Sequence, residues 1–125
     1  MRIRLLTALF LLGATAAPLA ADARSDAKKQ VEFGITVAQR GLWREAIYRW
    51  ERAAQIDPKY AEALNNLAIA YEHEGDLEKA RVAYEKALEL EPNNALIKQN
   101  YELFKEINDR TTRKDSQDTP DPDTQ

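Results

Sequence analysis

The single histidine, His73, stands between Glu72 and Glu74, with Asp76 and Glu78 close behind. This is the first place to look for metal binding or proton transfer. Either chemistry needs donors that converge on one point, but consecutive helical residues point in different directions, so these side chains fan out. The four acids straddle a glycine turn and read as a solvated patch. Arg40, Arg44, Arg49 and Arg52 make a milder basic counterpart. Opposite patches would steer head-to-tail pairing of copies only within about 10 Å at ordinary salt. The chain has no cysteine, which excludes disulfides, thiolate nucleophiles and the common structural zinc sites. No nucleophile–base pair, metal cluster or phosphate loop stands out. The expectation is a protein without catalytic residues, cofactor or bound metal. With 18 Lys and Arg against 21 Asp and Glu, it also lacks the excess of cations that nucleic-acid binding needs. Any binding must then come from the elements the chain builds.

The termini frame the elements that would do this. Met1-Arg2-Ile3-Arg4 is cationic, Leu5 to Leu12 is apolar, and small residues follow up to Ala21-Asp22-Ala23. That order is the layout of a secretory signal peptide over residues 1–23, cleaved after Ala21 or Ala23. The apolar run falls short of the roughly 20 residues that cross a bilayer. The expected location is periplasmic or secreted, with an uncleaved N-terminal membrane anchor as the alternative. From Asp109 the chain is polar and carries Pro120 and Pro122, so residues 109–125 read as a disordered tail.

Between the termini the sequence repeats. A shift of 34 residues lays Ala27 on Ala61, Gly34 on Ala68, Ile35 on Ile69 and Gly41 on Gly75. Farther on, Ala46 meets Ala80, Trp50 meets Tyr84, Ala53 meets Ala87 and Pro58 meets Pro92. Leu64, Leu67, Ala68 and Tyr71 fall at helical spacing, as do Leu77, Ala80, Tyr84, Ala87 and Leu88. Gly41 and Gly75 end first helices, because glycine adopts the left-handed conformation a tight turn needs. Asp26, Asp76 and Asn94 are the expected helix caps, while the first turn lacks one. Gly34 and Ala68 should admit a close partner helix, and the alanines should let Trp50 and Tyr84 interlock.

Leu64-x-x-Leu67-Ala68-x-x-Tyr71, Gly75, Ala80, Tyr84, Ala87 and Pro92 closely resemble the tetratricopeptide repeat, and Phe33 to Pro58 nearly as well. Gln30 and Val37 depart from the pattern. The resemblance implies an all-α, right-handed superhelix: one repeat over residues 24–60, a second over 61–94 and a capping helix over 95–108. In the cap, Ile97, Tyr101 and Phe104 should cover the second unit, with Glu102 and Lys105 left to solvent. The resemblance further implies an interaction scaffold whose first helices line a concave groove for an extended peptide. Carried onto this chain, that groove comprises Lys28, Val31, Glu32, Ile35 and Gln39, then Glu62, Asn65, Asn66, Ile69 and His73, then Gln99, Asn100 and Leu103. Ile35, Ile69 and Leu103 would form its apolar floor, and the asparagines would pair with a peptide backbone. Of the positions with which family members grip chaperone C-terminal carboxylates, here Val31, Ile35, Asn66, Leu96 and Asn100, only Asn66 fits. A contrasting reading is a structural subunit that self-associates through its exposed second helices and Trp43.

Overall fold

The computed structural model describes residues 17–117, with side chains from 19 to 111. Five helices follow one another: α1 (Ala17–Ala38), α2 (Trp43–Ile56), α3 (Ala61–His73), α4 (Leu77–Leu90) and α5 (Ala95–Gln117). They pack as two antiparallel hairpins, α1 with α2 and α3 with α4, and α5 closes the stack against α4. Among the described residues there is no strand. The architecture is the all-α solenoid that the repeat pattern implies.

The two hairpin turns are built alike. Gly41 and Gly75 have φ of 77° and 80°, where a Cβ would be strained. The Leu42 amide reaches back to the Val37 carbonyl at 3.0 Å, and the Asp76 amide to Tyr71 at 2.8 Å. Both turns thus satisfy the orphan carbonyls of the preceding helix in the Schellman manner. They differ where the sequence predicts: Asp76 caps α4 by accepting from the Lys79 amide, whereas Leu42 offers α2 no side-chain cap. Between hairpins, Pro58 and Pro92 each follow the first residue of a tight turn. The Tyr60 amide bonds to the Asp57 carbonyl and the Asn94 amide to Glu91, both at 3.1 Å. The Asn94 side chain then caps α5 through the Leu96 and Ile97 amides, at 3.1 and 3.2 Å.

The core alternates bulk with small residues. Ala46, Ala53, Ala80 and Ala87 are fully buried, and Trp50 and Tyr84 sit among them. The Trp50 indole donates to the Val31 carbonyl at 3.1 Å, so α2 lies close against α1. Gly34 makes that approach possible: a Cβ there would lie 2.7 Å from Trp50 Cδ1. At the other end Ile97 and Phe104 are buried, and the Tyr101 and Phe104 rings lie 5.5 and 5.4 Å from Tyr84. The covering role expected of these α5 residues is what the structure shows.

Both outer helices exceed the expected bounds. α1 begins at Ala17 rather than Ala27, because the alanines of 17–23 favour helix and Pro18 is tolerated in its first turn. Asp26 therefore lies inside the helix instead of capping it, and accepts from Lys29 Nζ at 2.9 Å. α5 runs past Asn108 to Gln117, so the start of the supposed disordered tail is helical. Ion pairs of Lys105 with Glu102 and Arg110 with Glu106 support its exposed face, and the Thr111 hydroxyl bonds to the Ile107 carbonyl. Residues 1–16 of the expected signal segment and 118–125 of the tail lie outside the described residues.

A chain of phenol–carboxylate bonds links successive helices. Tyr71 of α3 donates to Glu51 of α2 at 2.6 Å, and Tyr84 of α4 to Glu72 of α3 at 3.2 Å. Tyr101 of α5 donates to Glu85 of α4 at 2.9 Å. Burial and the adjoining carboxylates raise the Tyr71 and Tyr84 phenols well above the ordinary value of 10.0. Hydrogen bonds from Tyr101 and Arg81 hold the Glu85 carboxyl below the usual carboxylate range.

Candidate functional site

Where α1, α2 and α3 meet, an apolar depression of about 310 Å³ opens to the surface. Ile35 and Ala38 of α1, with Gln39 just beyond its end, form one wall, Asn66 and Ile69 of α3 the other, and Trp43 and Trp50 of α2 the floor. The repeat dictates this arrangement. Ile35 and Ile69 occupy equivalent positions on the first helices of their units, so stacking the hairpins brings them to one side. Gly34 lets Trp50 come up beneath them.

The depression is mostly hydrocarbon, with Gln39 and Asn66 as its polar amides. The side-chain nitrogen of Asn66 is shielded from solvent and is a buried side-chain polar atom without a hydrogen-bond partner. An unmatched buried amide costs free energy of about 1–3 kcal/mol. At the rim, His73 stacks on Trp43 with ring centroids 4.1 Å apart and planes 21° from parallel. This contact holds the indole as a flat platform. His73 also lies 3.9 Å from Glu74, and among the described residues no three His, Asp or Glu side chains are placed to hold a metal.

The remaining residues assigned to the groove distribute differently. Val31 is completely buried and does not line the depression, and its backbone carbonyl accepts from the Trp50 indole. Asn65 is buried as well. Only 4% of it is exposed, and its oxygen accepts from Asn100 Nδ2 at 3.1 Å, so both amides tie α5 to α3. Lys28, Glu32, Glu62 and Gln99 are exposed but do not line the depression, and Glu62 accepts from the Tyr60 hydroxyl at 2.9 Å. Leu103 is 55% exposed on α5 and lies outside the depression too. Ala38, Trp43 and Trp50 line it although the repeat pattern does not assign them to it. Trp43, which the sequence offers for self-association, is half-buried beneath His73. The acidic and basic patches are largely engaged internally: Glu72 with Tyr84, Asp76 with Lys79, Glu78 with Arg81, and Arg49 with Glu45.

Comparison with known proteins settles what these hairpins are. A model of the tetratricopeptide repeat matches residues 61–94, and a second model, also described as a TPR repeat, matches residues 37–75. The chain carries tetratricopeptide repeats. Three proteins illustrate what it resembles. It is 53% identical over 45 residues to the uncharacterized protein ycf37 of Pyropia yezoensis, covering 36% of this chain and 25% of that one. It is 32% identical over 89 residues to the type IV pilus assembly protein PilF of Pseudomonas aeruginosa, covering 70% and 35% of the two chains. With the photosystem I assembly protein Ycf3 of Rippkaea orientalis it shares 30% identity over 83 residues, covering 55% and 48%. The chain spans between a quarter and a half of the length of these relatives. Tetratricopeptide proteins bind protein partners, and the names of two of these relatives describe assembly. Among the described residues no helix is long and apolar enough to cross a membrane.

Proposed function

We propose that this chain is an exported scaffold that holds an extended segment of a partner protein against Ile35, Ile69, Trp43 and Trp50, in the assembly of an envelope or secreted complex. The observation that carries the reading is the pairing of an apolar depression with the unmatched Asn66 amide. Apolar side chains of the partner fill the depression, and a backbone carbonyl accepts from Asn66. Such a site discriminates by shape and one hydrogen bond, which suits a segment already extended and offering its backbone. The assembly roles in the names of the pilus and photosystem relatives support a partner that is a subunit of a larger complex. Export rests on the layout of residues 1–23.

Panning a displayed library of short peptides against the whole protein tests the groove. Peptides retained by the natural chain should carry apolar side chains and lose at least about tenfold in affinity to Ile35→Glu, which introduces a charge into the depression at a cost above about 1.4 kcal/mol. Leu90→Glu, at an exposed position outside the depression, should leave binding unchanged. Equal binding by the natural chain and a folded Ile35→Glu would remove the proposal.

A further inference from the structure

The start of α1 divides into an exposed part and a part that is clasped, with half-buried Ala23 between them. Leu19 is 78% exposed, and Ala20, Ala21 and Asp22 are exposed beside it. The clasp begins at Arg24. Its Nε pairs with the Asp57 carboxylate in the turn between α2 and α3, and its Nη2 donates to the Lys59 carbonyl at 3.2 Å. Its guanidinium lies over the Tyr60 ring, 4.5 Å from the centroid. Three residues later Ala27 is the first completely buried residue of the helix.

All three contacts of Arg24 are made by its side chain. None uses the peptide bond that joins it to Ala23. That bond is preceded by Ala21-Asp22-Ala23, which puts small side chains at the two positions a leader peptidase reads. A cut after Ala21 would instead put the bulky Leu19 at the farther of those positions.

Resting on the export reading above, we propose that leader removal cuts between Ala23 and Arg24, so that the mature protein begins at the residue whose side chain clasps the α2–α3 turn. Water adds across the peptide bond, Ala23 leaves with a carboxylate and Arg24 gains an α-amino group. The exposed stretch from Leu19 to Asp22 opens locally, giving the enzyme the extended strand it needs. After the cut the shortened helix opens with Arg24-Ser25-Asp26. The first turn of the uncut helix has no acid, whereas Asp26 now falls in the first turn, where the positive helix end favours a carboxylate. The clasp offsets the fraying of a new helix end by tying its first residue to a turn that two other helices fix.

The full chain, with its own N-terminus, expressed in a bacterium with an active secretion system, tests this by intact mass and N-terminal sequencing. The expected product lacks residues 1–23, starts at Arg24 and is recovered outside the cytoplasm. A product starting at Asp22 keeps the export reading and overturns the position of the cut. A product still carrying residues 1–23 overturns leader removal, and its recovery from the cytoplasm overturns export itself. Arg24→Ala, processed at the same bond, should melt several degrees lower than the natural mature chain. An unchanged midpoint would overturn the anchoring role of Arg24.

Discussion

At the scale of the residue, the architecture depends on how closely one bulky ring and one missing side chain fit. Trp50 reaches the Val31 carbonyl because Gly34 has no Cβ to stand in its way. Gly34→Ala must displace the indole, lose its hydrogen bond and deform the floor of the depression. A destabilisation of about 1–3 kcal/mol is expected from such overpacking, read as a lower denaturation midpoint with altered Trp fluorescence. A Gly34→Ala variant as stable as the natural chain would show that the close approach is not required. This residue was legible in the sequence, since glycine and alanine alternate at one repeat position. The partnership of Trp43 with His73 was not. Those rings sit on different hairpins, and no local spacing signals that their planes coincide. The groove positions carried over from the family fall on the buried Val31 and Asn65 for a related reason: a repeat pattern gives the face and not the depth. It locates a helix face to within one residue, while the depth of each side chain is set by the neighbouring helix.

At the scale of the element, the repeat spacing locates the inner helix ends well and the outer ones poorly. Gly41, Gly75, Pro58 and Pro92 punctuate α2, α3 and α4, and each has a backbone reason to stop a helix. Between Ala17 and Ala27 and between Asn108 and Gln117 no glycine intervenes, and Pro18 falls where a helix tolerates it, so propensity and side-chain pairs carry the helices on. Nor does the pattern expose the tyrosine bonds joining α2 to α3, α3 to α4 and α4 to α5. These bonds govern the alkaline limit of the fold. The phenols of Tyr71 and Tyr84 are raised in the folded state, and that of Tyr60 is pushed up to about 12, in each case chiefly by burial. A folded state that holds its protons more tightly than the unfolded one keeps the associated stability below the ordinary phenol value of 10.0 and loses it above. The melting midpoint should therefore fall as pH rises from 10 towards 12, and fall less in Tyr84→Phe. A midpoint flat across that window in the natural chain would contradict the assignment.

At the scale of the whole molecule, two hairpins and a closing helix leave one side on which an apolar hollow meets an unmatched amide. The hairpins are what the family models recognise, and two of the relatives are named for assembly. Trp43 and Trp50 are the two tryptophans of the chain, and both line the hollow, which gives a direct readout of occupancy. The decisive measurement is a two-dimensional NMR titration of the isotope-labelled protein with a selected apolar peptide. Both indole N–H signals and the Asn66 side-chain amide should move together and saturate at one peptide per chain. Indole and Asn66 signals that stay fixed while the peptide binds elsewhere would contradict the account.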